Sequence, residues 1–232
     1  MDHQKIAVLD FGGQYAHLIA NRVRRLHVYS EIVDGDAPAS QLKHCKGLIL
    51  SGSPMSVHVK GAPHCDMAIF KLGVPVLGIC YGHQLMQYLL GGQVVSGRAK
   101  EYGLANLTVQ DPVGIFKGVK SPSRVWMSHG DTVKSLGPGF KTLATTTDCR
   151  YSAVADLDRR FYGVQFHPEV THTQEGMKML DNFLTICAVS RDWSIEQFIE
   201  EEVAAIKNKV GDKKVFLLVS GGVDSTVAFA LL

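Results

Sequence analysis

No apolar run in the 232 residues approaches the roughly 18–20 needed to cross a bilayer. No signal-like apolar segment follows the opening Met1-Asp2-His3-Gln4-Lys5, and cytoplasmic placement is expected. The five cysteines, Cys45, Cys65, Cys80, Cys149 and Cys187, are odd in number and contain no CxxC pair. That excludes a disulfide framework or a zinc ribbon and fits a reducing compartment. The adjacent pairs His44-Cys45 and His64-Cys65 are not metal-ligand spacings, so no metal site is expected. Charge of one sign is also lacking: 24 Lys and Arg face 22 Asp and Glu, a net +2, which gives neither nucleic acid nor an anionic membrane anything to bind. Repeats and low-complexity tracts are absent.

What is present is a chain with 46% hydrophobic residues and 20% charged, enough to bury a sizeable core. Ile6-Ala7-Val8-Leu9 is a short apolar run, followed by Asp10-Phe11-Gly12-Gly13 and by apolar residues at helical spacing. Further strands are predicted over 28–33, 47–50 and 74–79, with helix over 67–72 and from Tyr81. Short apolar strands alternating with helices indicate a parallel sheet covered on both faces. From about residue 103 the pattern becomes strand-rich, at 104–109, 124–127, 140–146, 152–157 and 161–166, with a hairpin tip at 158–160. The prediction is therefore α/β, a mixed and mostly parallel central sheet with an antiparallel extension, closed by a helix over 173–189.

After residue 190 a charged helix capped by Ser194 is expected. Gly211-Asp212 breaks it, and 215–219 (VFLLV) starts a strand that leads into Ser220-Gly221-Gly222-Val223-Asp224-Ser225-Thr226. The expected organisation is a main domain over 1–190, a linker helix over 191–212, and over 213–232 the first βα unit of a second α/β domain whose remainder is absent.

Three constellations carry chemistry. Gly78-Ile79-Cys80-Tyr81-Gly82 has the G-x-nucleophile-x-G form of a strand-to-helix elbow, whose helix N-terminus favours a thiolate. The elbow by itself serves a buried thiol and a nucleophile equally well. Gly163-Val164-Gln165-Phe166-His167-Pro168-Glu169 ends a strand in a histidine with a carboxylate two residues on, the base and orienter that a cysteine nucleophile requires. Oxyanion donors are expected from the N–H of Tyr81 and from the Leu50-Ser51-Gly52-Ser53-Pro54 loop, with Ser53 N–H favoured and Gly52 beside it. The third constellation, SGGVDST, combines glycines that admit a phosphate to the backbone with three hydroxyls at a helix start. It lacks the GK[ST] ending of a Walker A loop.

Cys80 in GICYGHQ, with His167 and Glu169 in HPE, resembles the catalytic triad of the class I glutamine amidotransferases. Asp10 to Tyr15 (DFGGQY), Trp126 to Asp131 (WMSHGD) and Arg160 to Thr173 (RFYGVQFHPEVTHT) are similar to the glutamine-hydrolysing GMP synthases within that group. The resemblance covers almost the whole chain. It implies the class I amidotransferase fold, ammonia release from glutamine without a cofactor, and glutamine contacts from Gln84 and from a loop bearing Ser128, His129, Gly130 and Asp131. It further implies that Ser220, Gly221, Gly222, Val223, Asp224, Ser225 and Thr226 open an ATP-pyrophosphatase domain. The complete synthase would use ATP and Mg2+ to convert XMP to GMP, as a homodimer. Ser53 departs from the pattern, since many amidotransferases carry glycine before this proline. Two other readings are a stand-alone γ-glutamyl hydrolase, disfavoured by SGGVDST and WMSHGD, and a non-catalytic glutamine sensor, disfavoured by Cys80, His167 and Glu169.

Overall fold

The structure, a computed structural model, describes residues 3–232, and side chains throughout that range except at 97–100. The chain divides into two compact units, Met1–Arg191 and Asp192–Leu232.

Among the described residues the first unit contains one nine-stranded sheet, ordered β2-β1-β3-β4-β9-β8-β7-β5-β6. Its parallel half comprises β1 (Lys5–Asp10), β2 (Tyr29–Asp34), β3 (Cys45–Leu50), β4 (Val76–Ile79) and β9 (Phe161–Val164). The antiparallel half adds β5 (Gln93–Val109), β6 (Ser123–Ser135), β7 (Lys141–Thr145) and β8 (Ala153–Asp156). Period-two geometry sorts the apolar runs onto two faces. Ile6 and Val8 pack in one cluster with Ile19 and Val23 of α1 (Ala16–Arg24) and Leu180 and Phe183 of α4 (Gly176–Ile186). Ala7 and Leu9 join the other, with Leu42 of α2 (Ala39–Leu42) and Leu85 and Met86 of α3 (Tyr81–Leu89). Both faces of the parallel half are therefore covered, which is why its inner strands are largely apolar, while the edge strand β2 carries Ser30, Glu31 and Asp34.

Several expected bounds move for physical reasons. The segment near 67–72 is a short 3-10 turn, Met67–Lys71, capped by Asp66. The helix expected from 173 starts at Gly176, because Thr173 and Gln174 are tied to neighbours: Thr173 Oγ1 donates to His167 O (2.6 Å) and Gln174 N–H to Arg124 O (3.0 Å). The strand expected over 124–127 runs on through the SHGD residues as β6, paired with a long β5.

In the second unit Ser194 caps α5 (Ile195–Val210), its Oγ accepting from Gln197 N–H at 3.1 Å, and Gly211 ends it at φ 54°. The strand expected at 215–219 is not formed. These residues have no ladder partner among the described residues, and strand structure exists only through such pairing. The helix that follows SGG is present as α6 (Val223–Leu231).

Candidate active site

Four neighbouring parallel strands, β1, β3, β4 and β9, end at the same edge of the sheet, where ligand sites of open α/β sheets form. β4 leads directly into Cys80, which has φ 53° and ψ −106° and is the N-cap residue of α3. A side-chain-bearing residue seldom holds a positive φ unless its surroundings enforce it. They do so here. Cys80 N–H donates to Val164 O (2.8 Å) and Gly82 N–H to Ser51 O (3.0 Å), binding the elbow to the ends of β9 and β3. A Cβ on Gly78 would meet Gly82 O at 2.6 Å, and one on Gly82 would collide with Leu50 O, so the glycine fence lets α3 begin against β3. The sulfur lies at a helix N-terminus, whose first-turn N–H groups, Tyr81 N–H among them, have no acceptor within the helix.

His167 arrives from the end of β9. Its N–H donates to Trp126 O (3.0 Å), its carbonyl accepts from Thr173 Oγ1, and its ring packs edge-on against Tyr15 at 5.0 Å. Nδ1 donates to Glu169 Oε1 at 2.7 Å, which leaves Nε2 for Cys80. Glu169 is 1% exposed, and its backbone carbonyl accepts from Arg22 Nε of α1 at 2.8 Å. Burial pushes the imidazole toward the neutral form. Hydrogen bonds to Cys80 and Glu169, and attraction to both, outweigh that and raise its pKa to about 10. The arrangement is a cysteine sulfur beside an imidazole whose proton is held well above the ordinary histidine range.

These groups open onto a cleft of about 640 Å3. Cys80, His167, Gly52, Ser53, Gln84, Ser128, His129, Gly130 and Asp131 all line it, and Glu169 stands behind His167. Tyr81 is buried and its hydroxyl donates to Pro63 O (2.6 Å), so only its backbone N–H is available to the site. A Cβ on Gly52 would sit 3.3 Å from His167 Cε1 and 3.9 Å from Cys80 Cβ, which makes Gly52 the residue whose smallness the loop needs. Ser53 has no positive φ, so its backbone does not call for the usual glycine, and its Oγ accepts from Met55 N–H (3.3 Å).

On the far wall, Gln84 Nε2 donates to Asp131 O (2.8 Å) and to Gln165 Oε1 (3.2 Å). His129 is buried, with Nδ1 2.8 Å from Asp131 O and Nε2 2.8 Å from Glu101 Oε2. Both its ring nitrogens thus face protein groups, and Ser128 presents its carbonyl to Cys80 Sγ at 3.5 Å. Among the described residues, Glu101, His129 and Cys149, from three separate segments, bring one donor atom each within 4.8 Å of one another. Gly12, Gly13, Gln14 and Tyr15 also line the cleft. Their signal was available, since DFGGQY is a glycine turn after a parallel strand, as are SGSP and GICYG.

SGGVDST lies in the second unit. Gly221 has φ 81°, and Gly222 is the N-cap of α6, which leaves first-turn N–H groups without intrahelical acceptors. Ser225 Oγ and Thr226 Oγ1 both donate to Gly222 O, at 3.0 and 2.9 Å. Glycines and open first-turn N–H groups are features that anion-binding loops share, while these two hydroxyl protons are held by Gly222 O.

Comparison with known proteins identifies the family. Residues 7–187 match the family model "Glutamine amidotransferase class-I". The chain belongs to the class-I glutamine amidotransferase family. It is 51% identical over 231 residues to a protein of Synechococcus sp. named GMP synthase [glutamine-hydrolyzing], covering 97% of this chain and 44% of that one. A protein of the same name from Caldanaerobacter subterraneus subsp. tengcongensis is 47% identical over 232 residues, covering 99% of this chain and 45% of the relative. Among solved structures, a putative GMP synthase subunit from Thermoplasma acidophilum superposes with TM-score 0.71 at 33% identity, covering 87% of this chain and 99% of its own. A Thermotoga maritima glutamine amidotransferase shares the fold at TM-score 0.63 and 18% identity, over 82% of this chain and all of that one. The chain spans less than half the length of the curated relatives it matches.

Proposed function

We propose that this chain hydrolyses glutamine to glutamate and ammonia, with Cys80 as nucleophile. The observation that carries the proposal is the meeting of two strand ends: Cys80, held at positive φ on a helix N-terminus, beside a His167–Glu169 pair bonded at 2.7 Å. Cys80 thiolate attacks the side-chain amide carbon of glutamine, and the oxyanion is taken up by the N–H groups of Tyr81 and of the Gly52-Ser53 loop. His167 gives its proton to the departing nitrogen, so ammonia leaves and a γ-glutamyl thioester remains. A water then loses a proton to His167 and attacks the thioester carbonyl, releasing glutamate and restoring thiolate and imidazolium. Glu169 supports the imidazolium throughout. Glutamine's α-amino and carboxylate groups are assigned to the wall formed by Gln84 and residues 128–131. With both N–H groups of Gln84 engaged, its Oε1 is the atom suited to an ammonium.

Similarity to GMP synthases over almost the whole chain supports a further reading: the ammonia serves XMP-to-GMP conversion at an ATP and Mg2+ site opened by Ser220 to Thr226, in a cytoplasmic homodimer. The glutaminase step itself calls for no cofactor. Glutamate release from glutamine tests the first claim. Cys80→Ala should lower it by about a thousandfold or more, as loss of a nucleophile does. Unchanged release in that variant would refute the mechanism.

A further inference from the structure

Gln165 is fully buried, directly after β9, and its N–H is fixed on Ser152 O at 2.8 Å. Its side chain has no role in the steps above, yet Nε2 lies 3.8 Å from Cys80 Sγ. Which end of this amide meets the sulfur follows from the chain of bonds behind it. Asp131 O is a backbone carbonyl and can only accept, so Gln84 must direct its NH2 there, at 2.8 Å. The same NH2 reaches Gln165, which must answer with Oε1 at 3.2 Å. The Gln165 NH2 is thereby aimed at the sulfur.

Resting on the glutaminase reading, we propose that Gln165 is a further catalytic residue: its amide donates a hydrogen bond to the Cys80 sulfur, favours the thiolate and fixes the direction from which it attacks. Gln84 is the positioning residue that sets the Gln165 amide. The sulfur then has three supports of different kinds: the α3 N-terminus, the His167 imidazolium and a neutral N–H donor. A hydrogen bond to a charged partner inside a protein is among the stronger ones, and this donor is shielded from water. The titratable groups that share the cleft with the sulfur are His167, with Glu169 behind it and Tyr15 against its ring, and Tyr102, His129 and Asp131, with Glu101 behind His129. None of them is altered in the variants below.

The test is the pH profile of Cys80 alkylation by iodoacetamide on the intact chain, read by mass spectrometry of the Cys80 peptide, together with kcat and KM for glutamine. In Gln165→Met, which keeps the volume and removes the donor, the profile should move to higher pH by about one unit, a tenfold loss of reactive sulfur on the acid limb of the profile. The fall should appear in kcat, with KM nearly unchanged. Gln84→Met should move the profile the same way by less, since the Gln165 amide is then free to flip. If Gln165→Met unfolds as cooperatively as the parent and its profile superimposes on the parent's, the proposal is wrong. Should Gln165→Met fail to fold, Gln165→Asn decides, since it keeps a neutral amide but draws the donor back by one methylene: an upward displacement supports the proposal and an unmoved profile overturns it. Alkylation requires no glutamine. A chain that hydrolyses none but shows the displaced profile would therefore sink the glutaminase reading and leave the hydrogen bond standing.

Discussion

Cys80 and His83 are one turn of α3 apart, and the chain treats them in opposite ways. Cys80 opens onto the cleft, while His83 is fully buried in space that Gly163 leaves by lacking a side chain: a Cβ there would collide with the His83 ring. Burial lowers the His83 pKa from 6.5 to about 3, so folding excludes its proton. Its contribution to stability is fully present above about pH 6.5 and is lost as pH falls toward 3, because the unfolded chain takes up a proton that the folded chain refuses. His83→Leu should therefore flatten the fall in unfolding midpoint between pH 7 and 4. An unaltered slope would show that another group dominates acid unfolding. His167 shifts the other way, and with its proton held to about 10, kcat should decline on the alkaline side as pH rises through that value and the acid for ammonia departure is lost. Cys80, His167 and Glu169 were legible in the sequence because a glycine fence and an HPE turn are local patterns. Gln165, 85 positions from the sulfur it touches, and Arg22, 147 from the Glu169 carbonyl it holds, were not. Which side chain faces which is decided by strand order, and one sequence does not state that order.

At the scale of elements, the site depends on how tightly α3 is set against β3. The collision that a Cβ on Gly82 would make with Leu50 O is with backbone, which cannot swing aside. Gly82→Ala should cost about 1–3 kcal/mol of stability, in the range of overpacked cores, and should slow Cys80 alkylation by displacing the elbow. Denaturant unfolding and labelling measured on one preparation would check both. A lesser effect belongs to α5, where Ser194→Ala removes the cap on Gln197 N–H and should cost about 1 kcal/mol. The parallel strands were readable as apolar runs because both of their faces are covered. The extent of β5 and β6 was not: their pairing carries polar residues such as Ser96, Asp131 and Ser128, which face the cleft and give no apolar strand signature. The 215–219 run reads as a strand for the same reason β1 does, yet a buried-strand composition does not create a ladder without a partner.

For the whole molecule, the division at residue 191 separates a unit with its own core from one in which Phe216, Leu218 and Phe229 are 86%, 79% and 68% exposed. Two helices and an unpaired extended segment do not bury such side chains, and the curated relatives are more than twice as long. If the longer relatives guide the use of the ammonia, glutamate release should rise when the region corresponding to their remainder is supplied with ATP, Mg2+ and XMP. Unchanged release would separate the glutaminase from that use. The central claim, that Cys80 is the nucleophile toward glutamine, is tested most directly by incubating the chain with a glutamine-like diazo ketone and locating the adduct by peptide mass spectrometry. One equivalent on Cys80, prevented by excess glutamine and absent in His167→Asn at matched times, is the result the account predicts. A chain left unlabelled, or labelled at Cys45, Cys65, Cys149 or Cys187 with Cys80 intact, would contradict it.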